Sequence, residues 1–247
     1  MKYLAIATLL FFVSCHDATK ERLNAQQIID KSIEASGGKL FDSHDVFFVF
    51  RDKAYVSGQN EGKKVLKRIF ETDSVTITDV LAKGKLQRFF NDSLIQLPDS
   101  VANRYANSVN SVHYFVRLPY GLNDKAVNKK LLGESTLKEK DYYKVQITFD
   151  RENGGDDFED IYIYWFDKET FKPDYLAYEF HVNGGGIRFR EAFNERYVNG
   201  IRFVDYNNYK PKEKTADIYK IDSLFLSGAL ELLSKIELKD VKATKID

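Results

Sequence analysis

The sequence predicts an α+β fold that is mainly antiparallel β: a strongly twisted meander forming an incomplete barrel, with one or two helices packed on its concave face. Three observations support this prediction. Phenylalanine and tyrosine, which favour strands, are abundant at 19 and 15 residues. Most apolar segments alternate with a period of two and are joined by short turn sequences, as in hairpins. Only two segments have clear amphipathic-helix spacing.

The first helix is predicted over Ala25 to Ala35, because Ile28, Ile29 and Ile33 form one apolar stripe and Gly37-Gly38 is a stop signal. The second is predicted over Pro98 to Val116. Its apolar stripe has helical spacing and consists of Val101, Tyr105, Val109, Val112 and Val116. Proline suits the first turn of this helix, and Pro119 follows its end. We expect this stripe to pack against a sheet.

The strands are predicted on both sides of the second helix. The first group is Val46 to Phe50, Val65 to Phe70, Val75 to Leu81 and Leu86 to Phe90. The second group is Tyr143 to Phe149, Asp160 to Phe166, Asp174 to Val182, Ile187 to Phe193 and Ile201 to Tyr209. Asn199-Gly200 predicts a tight hairpin, because both turn positions need positive φ. Leu224 to Leu233 is ambiguous between a short helix and a turn, and Ser234 to Val241 suits a closing strand.

The N-terminus predicts export and lipidation. Lys2 precedes an apolar run from Tyr3 to Val13, which has the length of a secretory signal and is too short to cross a bilayer. The run ends in Phe12-Val13-Ser14-Cys15, which resembles a bacterial lipobox, and Cys15 is the only cysteine. We expect residues 1–14 to be the signal peptide, 15–23 the lipidated cysteine and tether, and 24–247 one β-rich domain. The alternative is an ordinary signal peptide in which the cysteine occurs by chance.

The composition limits the possible functions. The formal net charge is zero, which argues against a nucleic-acid partner. Four histidines are present, but none has a metal-ligand spacing, and nucleophile-elbow, phosphate-loop and dinucleotide motifs are absent. The sequence therefore predicts no cofactor and favours a non-enzymatic protein. A hydrolase in which His44, His113 and His181 converge in space with an aspartate or glutamate stays open.

Three groups of residues are candidate sites. Asp156, Asp157 and Asp160 could supply oxygen ligands to a metal such as calcium, or form a solvated turn. His181, Arg188 and Arg190 flank a run of three glycines, and two arginines on one strand face could bind a phosphate or carboxylate. The alternative is a surface hairpin. The aromatic residues that could line a ligand cavity, or simply fill a core, are Tyr162, Tyr164 and Trp165.

Two resemblances bear on function. The lipobox, the tether, the helix ending in Gly37-Gly38 and the meander resemble the lipoprotein carriers of LolA and LolB type, which implies a half-barrel that receives acyl chains. The segments around Asn153, Asn183 and Asn199 resemble an uncharacterised lipoprotein family of Bacteroidota. We therefore predict an envelope lipoprotein that binds a lipid or other apolar ligand. The alternative is a structural or interaction subunit of an envelope complex. His16 follows the lipidated cysteine where inner-membrane retention uses aspartate, which favours the outer membrane.

Overall fold

The computed structural model describes residues 22–246, apart from residues 61, 153–157 and 182–183. The helices in this part of the chain are α1 (Ala25–Ala35), α2 (Leu40–Ser43), α3 (Asp99–Val116) and α4 (Ile221–Leu226). The strands before α3 are β1 (His44–Phe50), β2 (Lys53–Asn60), β3 (Lys63–Thr72), β4 (Val75–Ala82), β5 (Lys85–Phe90) and β6 (Ser93–Ile95). Those after it are β7 (Val127–Leu137), β8 (Lys140–Phe149), β9 (Ile161–Asp167), β10 (Pro173–Phe180), β11 (Gly186–Val198), β12 (Ile201–Pro211), β13 (Leu230–Ile236) and β14 (Lys239–Lys245).

The strands form two antiparallel seven-stranded sheets. The order in the first, which we call sheet A, is β14-β1-β2-β3-β4-β5-β6, and in the second, sheet B, it is β13-β12-β11-β10-β9-β8-β7. The edge strands β13 and β14 are consecutive in the chain, so the sheets meet at a corner formed by residues 237–238. The described strands do not form a closed barrel. The predicted fold of antiparallel strands in an incomplete barrel with few helices is therefore confirmed.

A buried carboxylate holds this corner together. Asp205 on β12 is 2% exposed and accepts hydrogen bonds from the backbone amide of Leu238 at 2.9 Å and from Arg196 at 3.1 Å. Asn194 donates a third hydrogen bond to the same carboxylate at 2.6 Å. The Arg196 guanidinium also donates to the Leu238 carbonyl. This network fixes the point at which the chain leaves sheet B for sheet A.

Helices α1 and α3 pack on the concave side, as predicted. Helix α1 begins at a capping box. The Asn24 side chain accepts a hydrogen bond from the backbone N–H of Gln27, and the Gln27 side chain accepts one from the backbone N–H of Asn24. Ile28 and Ile29 of α1 are fully buried against sheet B. The valine stripe of α3 packs against sheet A, and Val109 in its middle is fully buried.

The middle of α3 is also held by charged side chains of sheet A. Asp79 on β4 is completely buried and accepts hydrogen bonds from both of its cross-strand neighbours, Arg68 and Arg88. The Arg68 guanidinium also donates to the Ser108 hydroxyl of α3 at 2.9 Å. The Arg88 guanidinium lies 3.7 Å from the centre of the Tyr105 ring. We call Arg68, Asp79 and Arg88 the arginine–aspartate triad.

The structure extends the strand predictions and corrects them in three places. Strands β2, β6 and β7 were not predicted. The ambiguous segment 224–233 is divided between the end of α4 and the start of β13. The predicted closing strand over 234–241 is instead the end of β13 and the start of β14, and β14 pairs with β1. None of the described helices has both the length and the apolar character needed to span a bilayer.

Candidate functional site

A cavity of about 940 Å³ lies on the concave side, between the two sheets and the second half of α3. Its volume is near the upper end of the range for pockets that hold small organic ligands. Phe50 and Leu66 of sheet A line one wall, and Val112, Phe115 and Val116 of α3 line another. The sheet B wall is the most aromatic, with Phe149, Tyr162, Tyr178, Phe180 and Tyr206.

The aromatic wall follows from the strand register. Tyr162 on β9 and Tyr178 on β10 are directly opposed, and their rings stack with centroids 5.7 Å apart. Phe149 meets the Tyr162 ring edge-on at 5.6 Å, and Phe115 of α3 lies 5.6 Å from Tyr178. Such rings cover a large apolar area and rest on one another in preferred geometries. The wall is therefore a stiff apolar surface suited to an alkyl chain.

The described lining of the cavity carries more basic than acidic side chains, although the chain has no net charge. Five basic residues line it, namely Arg51, Lys64, Arg117, Arg188 and Arg190. Among the described residues, three carboxylates line it, namely Asp42, Asp124 and Asp160. A concave surface with an excess of one charge concentrates ligands of the opposite charge. The lining thus combines an apolar wall with an attraction for anions.

Three of the predicted ligand-binding residues come together in this cavity: Tyr162, Arg188 and Arg190. The two arginines share a face of β11 and have different surroundings. Arg188 donates to the backbone carbonyl of Ile187 at 2.9 Å, and its guanidinium lies 5.0 Å from the Phe180 ring centre. Arg190 is 8% exposed, and among the described residues its one hydrogen bond goes to the Tyr178 hydroxyl at 3.1 Å.

The other predicted aromatic residues do not line the cavity. Tyr164 lies on the same face of β9 as Tyr162, in the core that contains Ile28 and Ile29 of α1, and its hydroxyl is 3.4 Å from that of Tyr114. Burial raises the pKa of Tyr164 well above its ordinary value. Trp165 points to the opposite face of sheet B, because successive strand residues alternate, and its Nε1 donates to Asp222 of α4 at 3.3 Å. Both residues are completely buried.

The predicted acidic and cysteine sites are only partly within the described residues. Cys15, Asp156 and Asp157 lie outside them. Asp160 is buried, and its Oδ1 lies 3.3 Å from Nδ1 of His181, whose ring is half exposed outside the cavity lining. Within residues 22–246 and their stated gaps, no cluster of three or more histidine, cysteine or acidic residues has a metal-binding arrangement.

The three histidines in the described residues lie at different places. His44 contacts the Leu40 carbonyl, and His181 lies beside Asp160. His113 on α3 lines the cavity, with its ring edge-on to Phe48 and Tyr55 and Nε2 3.1 Å from the Lys67 carbonyl. Burial lowers the pKa of His113 to about 4, so its ring is neutral at physiological pH. The dispersed histidine site considered for a hydrolase is not assembled from these three residues.

Several lining residues were not identified from the sequence. Phe115 belongs to α3, Arg117 directly follows this helix, and Asn208 belongs to β12. The adjacent aromatic residues Tyr114 and Phe115 lie beside the valine stripe rather than on it, so α3 is apolar on a second side. That pattern is the available sequence signal for a helix placed between two walls.

Solved structures share this fold at low sequence identity. A LolA superfamily protein from Nitrosomonas europaea superposes with a TM-score of 0.51 at 15% identity, covering 92% of this chain and 96% of that chain. A DUF1329 family protein from Desulfovibrio piger superposes with a TM-score of 0.52 at 10% identity, covering 89% of this chain and 92% of that chain. Comparison with curated protein sequences gives no match. The model of one family matches residues 3–238, and the chain therefore belongs to that family, the family of unknown function DUF6503.

Proposed function

We propose that this chain is a non-enzymatic envelope lipoprotein that binds a lipid or another apolar ligand in the half-barrel cavity. The observation that carries the proposal is the cavity itself, about 940 Å³ in volume and walled by aromatic side chains of sheet B and α3. Ligand pockets are typically concave and mostly apolar, with a few polar groups that fix orientation. In this proposal Tyr162 contacts the apolar part of the ligand, and Arg188 and Arg190 contact its polar end.

The direct test is to identify what the cavity holds after expression in a bacterium. The chain from Thr19 onward contains every described helix and strand and lacks the predicted anchor. It is purified without detergent, extracted with organic solvent and analysed by lipid mass spectrometry. We expect a near-stoichiometric amount of one lipid class. Recovery of no lipid, even after incubation with envelope extract, would contradict the proposal.

A cavity-filling variant makes the test specific to this site. Val204 on β12 lines the cavity and is 9% exposed, so Val204→Trp places a large ring in the ligand space. Leu94→Trp is the matched control, because Leu94 lies on the edge strand β6, outside the cavity lining, and is 48% exposed. We expect Val204→Trp to co-purify with much less lipid and Leu94→Trp to retain the wild-type amount. A wild-type amount of lipid in Val204→Trp would indicate binding elsewhere.

We further propose that Cys15 carries the lipid anchor and that the domain faces the periplasm or the cell surface at the outer membrane. The lipobox-like sequence and the absence of aspartate after Cys15 support this location. The glycine-rich hairpin sequences support an origin in the Bacteroidota. Globomycin, which blocks lipoprotein signal cleavage, tests the anchor: it should cause accumulation of a larger precursor in wild-type cells. The Cys15→Ala protein should carry no label from a clickable fatty acid.

A second candidate is a structural or interaction subunit of an envelope complex. It is favoured by three large apolar side chains at the end of α4 and on edge strand β13: Leu226, Leu232 and Leu233, which are 55%, 52% and 47% exposed. Single exposed leucines are common, but three near one sheet edge could support protein contact. A photo-crosslinker at position 232 tests this candidate. The control is a photo-crosslinker at position 94 on β6, an edge strand of sheet A. A discrete product specific to position 232 is expected if it is correct.

A further inference from the structure

We propose that the ligand carries an acidic head group, a carboxylate or a phosphate, which binds inside the cavity at Arg190 and Asn208. This inference rests on the proposed function, because it names the chemical class of the ligand of the same cavity. It assigns the apolar chain of the ligand to the aromatic wall and its acid to the interior rather than to the surface of the protein.

The first argument is that Arg190 has no counter-ion among the described residues. Five arginines in the described part of the chain are buried: Arg68, Arg88, Arg117, Arg190 and Arg202. Three of them bind carboxylates, two through Asp79 and one through Glu195 at 2.6 Å. Arg190 and Arg117, the two with no ion pair to a described residue, both line the cavity. A guanidinium stays charged, and a buried charge without a partner is unfavourable, so an anion from outside the described chain would complete this site.

The second argument is a pair of unused polar atoms on neighbouring strands. Arg190 and Asn208 are directly opposed in the β11–β12 register, and both line the cavity. Nε of Arg190 is buried and has no hydrogen-bond partner among the described residues. Oδ1 of Asn208 is likewise buried and unpartnered, while its Nδ2 donates to the Ser234 hydroxyl at 3.2 Å. Buried polar groups are normally satisfied, so two unpartnered atoms on cross-strand neighbours that both line the cavity support binding of a polar group from outside the described chain.

The surroundings of Arg190 define how this group would be bound. Its guanidinium lies 3.9 Å from the ring centre of Phe115 and 5.1 Å from that of Tyr178, and Nη2 is engaged by the Tyr178 hydroxyl. An acidic oxygen would accept from Nε, and a hydroxyl next to that acid could donate to Asn208. Hydrogen bonds to ionised groups are stronger than neutral ones, and rings that exclude water strengthen them further. The same rings continue into the wall that would receive the chain.

A purely structural role for Arg190 makes a different prediction. Its contact with Phe115 could simply fasten α3 to sheet B, in which case the charge of the ligand would not affect affinity. The two roles are separated by probes that share one alkyl chain and differ in head group. These probes are oleate, oleoyl lysophosphatidate and oleyl alcohol, added to the chain from Thr19 onward after removal of co-purified lipid. Dissociation constants are measured by titration calorimetry.

We expect at least one acid to bind roughly 10- to 100-fold more tightly than the alcohol, the effect of one hydrogen bond to a charged group. Arg190→Met should remove this preference, and Arg190→Lys should retain part of it. Lys130→Met is the matched control, because it removes the same charge from an exposed position on β7 outside the cavity. A preference for oleate or for lysophosphatidate distinguishes a carboxylate from a phosphate ligand.

The other outcomes overturn the inference in distinguishable ways. Equal binding of all three probes to the wild-type chain would reject the acidic head group and leave the proposed function standing. Binding of none would reject both. If Arg190→Met does not fold, as judged by circular dichroism, Asn208→Leu provides a second variant. The wild-type comparison of acid with alcohol needs no variant.

Discussion

Replacement of Asp79 by asparagine tests the part of the structure that holds α3 on sheet A. The carboxylate is completely buried and receives hydrogen bonds of 2.6 and 2.9 Å from Arg68 and of 2.7 and 3.0 Å from Arg88. Asparagine preserves the shape but leaves two buried guanidinium groups without a counter-charge. Breaking a buried ion pair in this way costs about 3–5 kcal/mol of unfolding free energy. For a domain of this size the midpoint of thermal unfolding should fall by roughly 6–20 °C.

Urea and thermal unfolding measure this loss. Trp165 is the only tryptophan and is completely buried in sheet B, so its fluorescence reports on the sheet that does not contain the triad. Circular dichroism reports on both sheets, and coincident curves would show that they unfold together. Asp73→Asn is the control, because it makes the same chemical change at an exposed turn. It should alter the unfolding free energy by no more than about 0.5 kcal/mol.

The triple variant Arg68→Met, Asp79→Leu, Arg88→Met provides a stricter test of the same reasoning. It removes all three charges, and replacement of a buried ionic cluster by apolar side chains is often neutral or stabilising. The triple variant should therefore be more stable than Asp79→Asn alone. A loss below about 1 kcal/mol for Asp79→Asn, or a triple variant that is less stable than it, would show that the charge argument is wrong.

Three further predictions concern the corner between the sheets, the glycine turn after α1 and the pH dependence of stability. Asp205→Ala should lower the unfolding free energy by about 2–4 kcal/mol in urea titrations, because it leaves the corner's buried donors without an acceptor. Gly37→Ala should lower the unfolding free energy by about 2 kcal/mol or more, because φ at this residue is +114° and the added Cβ would lie 2.8 Å from the Gly200 carbonyl oxygen. Gly84→Ala is the control, because φ is +72° and the space around the residue is open; it should lower the unfolding free energy by about 1 kcal/mol. Burial lowers the pKa of His113 from 6.5 to about 4, so the unfolded state binds more protons between these values and stability falls as the pH drops through this window. The loss should be about 3 kcal/mol greater in the wild type than in His113→Phe, measured by urea unfolding at both ends of the window.

The sequence was most informative where local chemistry alone decides the structure. The first helix begins and ends at the predicted residues, because its cap and its glycines are local signals. Asn199 and Gly200 have the positive φ values of +48° and +82° that their hairpin predicts. Asp160 to Phe166 was predicted to be a strand, and β9 runs from Ile161 to Asp167. Such features depend on a few neighbouring residues and need no knowledge of the rest of the fold.

The features that were missed depend on distant parts of the chain. Strand β2 contains lysine, serine, glycine and glutamine, and it is a strand because β1 and β3 lie on both sides of it. Strand β14 pairs with β1 from the opposite end of the chain, a contact that no local pattern encodes. The cavity has the same origin. Arg190 and Asn208 become neighbours only through the register of β11 and β12. The sequence therefore indicated the pair of arginines but not the position of Asn208 beside Arg190.

The position of α3 links the stability of the fold to the cavity. The middle of the helix is fixed by the triad through Ser108 and Tyr105, whereas its C-terminal end supplies Val112 and Phe115 to the cavity lining. Loss of the triad should therefore affect the cavity wall as well as sheet A. In Asp79→Asn, amide hydrogen exchange over residues 99–116 should accelerate more than exchange over β12, because α3 would open without unfolding of sheet B. Uniform acceleration across both elements would instead show that α3 opens only when the whole domain unfolds.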